Sequence, residues 1–307
     1  MSAFPLIGAR WVVVRQHRRA LWTVLAVALV SSGSLGAARI IYIKQPDMKT
    51  YSLLTGAVDQ ADLAITLLPL LVALFVAGPL VGRELESGAH RLAWSQSVSP
   101  ARWLATKLAL TAAVVVPATA LFVGVYRWSW APVRHYTPQT IWDAQPYASL
   151  GITTAAYALL AIAVGALLGL LVHRALVAMS LAALATGSTL LALGQLRPRL
   201  WPRALATGHG MPQDWGPSWR EVDNWWLEVG RLTASGARVP WDDCTLPDSS
   251  GQQVAQCMAD RGAVTDYLLY HPPSHFWPVQ LVETAVVLAL AAAVAFAAFR
   301  VLRRLHA

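Results

Sequence analysis

The chain has 307 residues, of which 56% are hydrophobic and only 13% are charged, and its formal net charge is +8. A soluble domain carries about 25% charged residues, so roughly half of the expected charge is missing. The remaining charge is clustered, and the stretches between clusters are long enough to cross a bilayer, because about 20 helical residues span about 30 Å. This composition excludes an ordinary water-soluble protein and predicts an all-α polytopic membrane protein.

Six windows are predicted to be transmembrane helices. They cover residues 20–38, 63–82, 104–126, 148–172, 175–194 and 279–299. Only His173 and Arg174 separate the fourth window from the fifth, and one straight helix across both would be longer than a bilayer is thick. We therefore expect two helices joined by a tight turn. The first window also resembles a signal peptide, but Arg39 lies where a small-residue cleavage site would be needed, so a retained helix is predicted.

Basic residues in the short loops predict the orientation of these helices. With a cytoplasmic N-terminus, the inner segments hold only two acids, Glu84 and Glu86, beside twelve basic residues. Those twelve are Arg10, Arg15, Arg18, Arg19, Arg83, Arg91, Arg102, Lys107, Arg174, Arg300, Arg303 and Arg304. The positive-inside rule then places both termini, including a basic tail at residues 300–307, in the cytoplasm. Residues 195–278 become a large extracellular loop between helices 5 and 6.

The predicted extracellular loop is rich in tryptophan, which favours a segment that lies partly on the bilayer or caps the helices. Within PSWREVDNWWLEVGRL, the apolar residues are spaced by three or four positions: Trp219, Val222, Trp226 and Val229. This spacing predicts a helix with one apolar stripe.

Both cysteines of the chain, Cys244 and Cys257, lie in this same loop. On the oxidising side of a membrane such a pair is expected to form a disulfide, which would contribute about 3 kcal/mol by closing the loop. Two unpaired thiols are the alternative.

Glu283 is the acid that this assignment leaves inside a span, with Gln280 one turn earlier. A carboxylate at such a position normally faces protein or a water-filled cavity, which makes both residues intramembrane functional candidates. The alternative is a carboxylate that reaches the outer interface or caps a neighbouring helix.

Three other motifs have weaker interpretations. In HPPSH, the two prolines are expected to keep His271 and His275 off a common helix face, so no metal site is predicted. Gly165 and Gly169 form a GxxxG motif, which is typical of generic close helix packing or of a dimer seam. Three prolines are expected to kink helices or to mark their ends: Pro69, Pro79 and Pro117.

Residues 82–107, GRELESGAHRLAWSQSVSPARWLATK, form a short polar segment between two apolar windows. Gly88 is predicted to interrupt the helix that leaves the second window, and Ser99 with Pro100 provides an N-cap and a first-turn proline for the next helix. Lys107 is expected to anchor that helix at the inner interface. Composition alone describes the segment as a solvated turn with an amphipathic surface helix.

Four segments, in this order along the chain, resemble the ABC-2 type permease subunits of high-GC actinobacteria. They are VRQHRRAL, GRELESGAHRLAWSQSVSPARWLATKL, GALLGLLVHRALVAMSLAALA with LRPRLWP, and YHPPSHFWPVQLVETAVVLAL. Three positions depart from the pattern of that family. Ala89 stands where members often have a hydroxyl residue, Pro100 where a basic residue is common, and His275 where an arginine often occurs.

The resemblance implies a six-helix fold of the ABC-2, or type V exporter-like, kind in the plasma membrane. It also implies a homodimer or paralogous heterodimer of permease subunits that works with two copies of a separate ATPase. Residues 83–102 then correspond to the coupling segment of the family, with six candidate ATPase contacts: Glu84, Glu86, Gly88, His90, Arg91 and Trp94. An N-terminal interfacial (elbow) helix is expected over residues 1–19, where apolar residues recur at helical spacing. The alternative is a disordered tail followed by the start of the first span.

The chain contains no GxxxxGK[ST] loop, so ATP and Mg²⁺ are expected to bind the partner ATPase, and no catalytic residue or cofactor is assigned to this chain. The expected cargo is an amphipathic drug, lipid or peptide, and no nucleic-acid partner is expected. A secondary transporter or channel would show inverted repeats and more intramembrane ionisable groups, and a membrane-anchored sensor would need a recognisable site in the outer loop. Both remain alternatives.

Overall fold

The computed structural model describes residues 7–88, 99–134, 139–210, 212–215, 223–245, 247 and 249–304, with the backbone alone for residues 7–21 and 213. Six helical segments in this part of the chain are long and apolar enough to cross a membrane, and they confirm the predicted polytopic fold class. They are Trp22–Lys44, Met48–Glu86, Pro100–Trp130, Thr153–Val172, Ala175–Arg199 and Pro273–Arg304.

The chain forms two compact units. The membrane unit comprises residues 1–133, 144–195 and 280–307, and the sheet unit comprises residues 134–143 and 196–279. The α-helices are α1 (Ile7–Lys44), α2 (Met48–Val72), α3 (Gly78–Glu86), α4 (Pro100–Trp130), α5 (Ala144–Leu150), α6 (Thr153–Val172), α7 (Ala175–Leu196), α8 (Gly251–Asp260) and α9 (Phe276–Arg304).

Helix α1 runs without a break from Ile7 to Lys44. Its 38 residues give a length of about 57 Å at 1.5 Å per residue, which exceeds the hydrocarbon thickness of a bilayer. The backbone of residues 7–19 is therefore helical and continuous with the first span, with no break at the boundary expected for a separate interfacial helix.

The second span begins well before the predicted residue 63. Asp47 is the N-cap of α2, and its side chain and that of Thr50 form a reciprocal capping box. Thr50 N donates to Asp47 Oδ1 at 2.7 Å, which satisfies an amide at the helix start. The helix consequently includes Asp59 and Asp62, so the prediction that Glu283 is the one acid within a span is wrong.

A π-helical turn, Ala73–Ala77, joins α2 to α3. It begins four residues after Pro69, which lies inside α2, and Pro79 lies in the first turn of α3. Because proline removes one backbone donor, the hydrogen-bond ladder changes register near these residues. Pro117 lies inside α4.

The fourth predicted span, residues 148–172, is divided in the structure. The short helix α5 ends at Leu150, and α6 begins at Thr153. At the other end of α6, His173 adopts a left-handed conformation with φ of 56°, and α7 starts two residues later. The tight turn predicted at His173 and Arg174 is therefore confirmed.

The GxxxG motif packs helices together within the membrane unit. A Cβ on Gly165 would lie 2.5 Å from Ala77 Cβ, and one on Gly169 would lie 2.9 Å from Gly82 N. Helix α6 thus lies against the π-helical turn and α3 at a distance that only glycine allows. The two glycines therefore act in close helix packing within the chain and not in a dimer seam, because residues of the same chain cover them.

The sheet unit contains four antiparallel strands in the order β1-β4-β2-β3, where β1 is Ala204–Gly208, β2 is Trp225–Thr233, β3 is Arg238–Pro240 and β4 is Ala263–His271. The helix predicted for PSWREVDNWWLEVGRL, residues 217–232, is therefore wrong for its described part. Residues of β2 pair with β4, from Trp225 with His271 to Thr233 with Ala263. Aromatic and β-branched residues suit a strand as well as a short helical stripe, and pairing to β4 decides between the two.

Cys244 and Cys257 form a disulfide in the sheet unit. The bond joins the 3-10 turn Trp241–Asp243 to α8. Cys244 and Met258 are buried together with Val239 of β3, so the disulfide lies in a small apolar cluster.

His271 lies at the end of β4 and is fully buried. Its Nδ1 is 3.0 Å from Nδ1 of His275, and its Nε2 is 3.2 Å from the carbonyl oxygen of Pro198. The two rings share no helix face, as expected, because His271 ends a strand and His275 lies in the 3-10 turn Pro273–His275. This strand-to-turn geometry nevertheless brings the rings together, which the sequence did not predict. Among the described residues, no group of three His, Cys, Asp or Glu could hold a metal ion.

Candidate functional site

A buried ion pair joins the end of α3 to the start of α4. Lys107 Nζ lies 2.6 Å from Glu84 Oε1, and Trp103 Nε1 donates to Glu84 Oε2 at 3.2 Å. Lys107 is 0% exposed and Glu84 is 9% exposed. The prediction that Lys107 anchors its helix at the interface is therefore wrong, because its ammonium group turns into the protein.

Further contacts satisfy the buried ammonium group of Lys107. Its Nζ donates to the carbonyl oxygen of Leu80 at 3.0 Å and lies 5.0 Å from the centre of the Trp103 ring. Leu80 lies one turn before Glu84 on α3, and Trp103 lies one turn before Lys107 on α4. Each pair therefore shares one face of its helix, and these two faces contact each other. A buried charge is tolerated only when it is paired and hydrogen-bonded in this way.

Glu86 ties the same end of α3 to α7. Ala175 N, at the first residue of α7, donates to Glu86 Oε2 at 3.1 Å. Free amides and the positive end of the helix dipole make this a favourable place for a carboxylate. Three helices of the membrane unit therefore converge on Glu84 and Glu86, two residues that the sequence proposes as ATPase contacts.

The polar segment between α3 and α4 is bounded as predicted. Gly88 has φ of +72°, a conformation that favours glycine and ends α3. Ser99 caps α4 by accepting from Arg102 N at 3.4 Å, and Pro100 is its first residue. The other candidate contacts, His90, Arg91 and Trp94, lie at positions 89–98, outside the described residues.

A second polar region lies at the opposite end of the membrane unit, where α4 ends and α6 begins. Asp62 of α2 is 2% exposed, and Tyr126 and Ser149 are buried in the same unit. Ser149 Oγ also donates to the main-chain oxygen of Asp62 at 3.4 Å. Within the part of the chain that the structure describes, Oδ1 of Asp62 has no hydrogen-bond partner.

Gln280 of α9 connects two helix ends in this region. Its Oε1 accepts from Ile152 N at 3.2 Å and from Thr153 N at 3.3 Å, while its Nε2 donates to the Tyr147 carbonyl oxygen at 2.8 Å. Helix α6 has no side-chain cap at its own Ile152, so Gln280 satisfies these amides from another helix. Capping of a neighbouring helix was the alternative interpretation of Glu283. In the structure its neighbour Gln280 makes that contact.

Glu283 is fully buried, and the hydroxyl of Tyr157 donates to its Oε1 at 2.8 Å. The carboxyl group is therefore enclosed by protein. This end of the membrane unit therefore has three buried polar side chains, those of Asp62, Gln280 and Glu283. Helix α5 connects two of them, because its Ser149 contacts Asp62 and its Tyr147 contacts Gln280.

Sequence reasoning missed the roles of Asp62, Trp103 and Lys107. The Asp47 capping box is the signal that could have placed Asp62 inside a helix, since it moves the start of the second span to Met48. The pairing of Glu84 with Lys107 crosses 23 positions and has no local signature.

The six candidate spans among the described residues are those of a multi-pass membrane protein. The family model described as ABC-2 membrane transporter related matches residues 43–197. The chain therefore belongs to the ABC-2 membrane transporter-related family, as a membrane transport component and not as the ATPase itself. A search of curated proteins finds no match. The matched range includes Asp62, Glu84 and Lys107, and it ends before most of the sheet unit.

Proposed function

We propose that this chain is the permease subunit of an ATP-driven exporter of the kind found in high-GC actinobacteria. It pairs with a second permease subunit and with two copies of a separate ATPase, and it moves an amphipathic drug, lipid or peptide across the plasma membrane. Both termini and the end with Glu84 face the cytoplasm, as the distribution of basic residues favours.

The observation that carries this proposal is the anchoring of the helix ends around residues 89–98. The pair of Glu84 with Lys107 holds α3 to α4, and Glu86 holds α3 to α7. A displacement imposed on the segment by an ATPase would therefore move three helices together instead of bending one loop. Packed elements that shift as rigid bodies are a common way to convey a local change across a protein.

The anchoring divides the six candidate contacts by role. Glu84 is a positioning residue, because its carboxylate is buried against Lys107 and Trp103. Glu86 positions α7 in the same way, and Gly88 ends α3. His90, Arg91 and Trp94 are the candidates for direct contact with the ATPase, and an aromatic residue is a frequent anchor in such interfaces.

Trp94→Ala tests the coupling role in the complex reconstituted into liposomes with a candidate partner ATPase that co-purifies with the native chain. We expect substrate-stimulated ATP hydrolysis and export to fall about tenfold, because removing an aromatic anchor commonly costs more than 1.4 kcal/mol of binding. Trp128→Ala is the matched control, since Trp128 is 44% exposed at the opposite end of α4. Wild-type coupling in Trp94→Ala, or failure of the ATPase to co-purify with the native chain, would contradict the proposal.

Transport driven by an ion gradient is the second candidate function, and the buried carboxyl group of Asp62 is the observation that favours it. The two functions differ in their energy source. Export that requires ATP and persists without a pH gradient supports the ABC exporter. Uptake or export driven by a pH gradient alone, lost in Asp62→Asn but kept in Asp59→Asn, supports the secondary transporter; Asp59 is an exposed acid on the same helix.

A further inference from the structure

The sheet unit contains an open cavity of about 690 Å³, lined by the segment that precedes β1 and by one residue each of β3 and β4. Its lining includes three arginines and four other residues, none of them acidic: Arg199, Leu200, Trp201, Pro202, Arg203, Arg238 and Leu269. The volume is in the range of small-molecule binding sites in proteins. Its composition, basic with an apolar floor, indicates an anionic amphiphile.

The three guanidinium groups keep donors available at the cavity. Among contacts with the described residues, Arg203 donates from its Nε to the Pro198 carbonyl oxygen at 3.2 Å. Arg238 is 49% exposed and contacts Glu228 only at 3.4 Å, from one terminal nitrogen. Arg199 is exposed. Arginine forks of this kind bind the oxygens of a phosphate or carboxylate in a bidentate manner.

The apolar part of the lining suits the chain or glycerol end of such a ligand. Leu269 of β4 is 7% exposed and forms the floor, and Trp201 is 37% exposed at the rim. Tryptophan is enriched at the level of lipid headgroups, where its ring meets both hydrocarbon and water.

One lining residue of the cavity is also the last residue of a candidate membrane span. The candidate span Ala175–Arg199 ends in the 3-10 turn Arg197–Arg199, and Arg199 is itself a lining residue. The next four residues along the chain complete the first wall of the cavity. A ligand here would therefore contact residues that follow directly, along the chain, on the end of this candidate span.

We propose that this cavity binds the phosphate group of an amphiphile, with Arg199, Arg203 and Arg238 as its ligands and Leu269 beneath the apolar portion. The same chemistry fits an anionic phospholipid of the membrane and a soluble phosphate ester. The site does not depend on the transport function, because all of its residues belong to the sheet unit.

Retention of lipid by the full-length chain tests the site. The protein is reconstituted into nanodiscs of equal phosphatidylglycerol and phosphatidylcholine, released into detergent, and examined by native mass spectrometry. We expect the wild type to retain phosphatidylglycerol in preference to phosphatidylcholine. Arg199→Gln should lower this retention about tenfold, and Arg199→Gln/Arg238→Gln further, because each charge-assisted hydrogen bond to a phosphate contributes substantially to binding.

Arg261→Gln is the matched control. Arg261 belongs to the same unit, is 45% exposed, and is paired with Asp243 at 3.4 Å outside the cavity. Arg261→Gln removes one positive charge, as Arg199→Gln does. An equal loss of lipid in this control would show that the net charge of the unit attracts the lipid without a defined site, and it would overturn the proposal. Unchanged retention in Arg199→Gln would also overturn it.

The source of the phosphate is decided by competition. Displacement of phosphatidylglycerol by millimolar glycerol 3-phosphate, but not by glycerol, identifies a soluble phosphate ester as ligand. Retention in its presence identifies the lipid headgroup. The unfolding temperature of each variant is measured beside the wild type, and Arg199→Lys, which keeps the charge but loses the planar fork, should retain an intermediate amount of lipid.

Discussion

Lys107 shows how one residue can hold a membrane protein together. Its charge lies in the interior, where the carboxylate of Glu84, the Leu80 carbonyl oxygen and the Trp103 ring surround it. Removing either ion alone would leave the other buried without its counter-charge, which costs more than losing both. The contact therefore locks the relative position of α3 and α4.

Lys107→Met should lower the free energy of unfolding by about 3–5 kcal/mol, because the carboxylate of Glu84 loses its cation inside the protein. The double variant Lys107→Met/Glu84→Gln should recover part of this loss. Thermal unfolding in detergent measures both. Lys44→Met is the control, since Lys44 is exposed in the last turn of α1. Equal unfolding temperatures for Lys107→Met and Lys107→Met/Glu84→Gln would show that Lys107 and Glu84 are not coupled.

His271 makes the sheet unit sensitive to acid. Burial lowers the pKa of its imidazole below the usual 6.5, with the Pro198 carbonyl acting in the opposite direction and the neighbouring His275 and Arg203 lowering it further. The folded state therefore favours the neutral ring. As pH falls below about 6.5, the unfolded chain binds a proton before the folded one does, so this contribution to stability is complete above that pH and is lost below it.

The unfolding temperature of the native chain should accordingly fall between pH 7.5 and pH 5.5. In His271→Gln this fall should be smaller, because the titrating ring is absent. His209→Gln changes an exposed histidine of the same unit and serves as the control. An equal fall in both variants would assign the acid sensitivity to other groups.

At the scale of elements, the membrane unit depends on close approach of α6 to the π-helical turn and α3. The Cβ that Gly165 lacks would lie 2.5 Å from Ala77 Cβ and 2.6 Å from a backbone carbon, which cannot move away as a flexible side chain can. Gly151 serves a similar purpose nearer to α9, because a Cβ there would overlap the Gln280 amide that caps α6.

Gly165→Ala should destabilise the protein by about 1–3 kcal/mol through overpacking. Gly124→Ala is the matched substitution within a membrane helix, since a Cβ there would meet nothing within 4 Å. It should be neutral or stabilising by up to about 1 kcal/mol, because alanine favours helix over glycine. Unfolding of the two variants side by side measures the difference, and equal stability would show that the helices can separate at no cost.

At the scale of the whole molecule, the two units have different sources of stability. The membrane unit contains the buried ion pair and the glycine contacts, and the sheet unit contains four strands and the disulfide between Cys244 and Cys257. The disulfide closes a loop over a sequence separation of 13 in a unit whose apolar cluster is small. It is therefore expected to matter most for the sheet unit.

Cys244→Ser/Cys257→Ser should lower the stability of the sheet unit by about 3 kcal/mol, through the added freedom of the unfolded chain. Limited proteolysis followed by mass spectrometry should show faster cleavage within residues 196–279, with the membrane helices still intact. Cleavage at the wild-type rate would mean that the strands alone stabilise this unit.

The periodicity and spacing of residues were sufficient to predict the local features of this protein. The apolar windows predicted six spans, and Ser99 with Pro100 and the pair His173 and Arg174 predicted a helix start and a turn. Each of these depends on contacts between residues a few positions apart, or on the length needed to cross a bilayer, and both can be read along one segment of chain.

The tertiary structure decided the features that depend on distant contacts. Trp225–Thr233 is a strand because β4 supplies its hydrogen bonds, although its side chains also fit a helical stripe. Lys107 turns inward because Glu84 offers a buried counter-charge 23 residues away, and Gln280 caps a helix that begins 127 residues earlier. The sequence by itself therefore determined six segments, within the described part of the chain, that are long and apolar enough to cross a membrane. Burial and long-range pairing decided which polar residues the helices enclose, because a partner that lies far along the chain leaves no periodic signal.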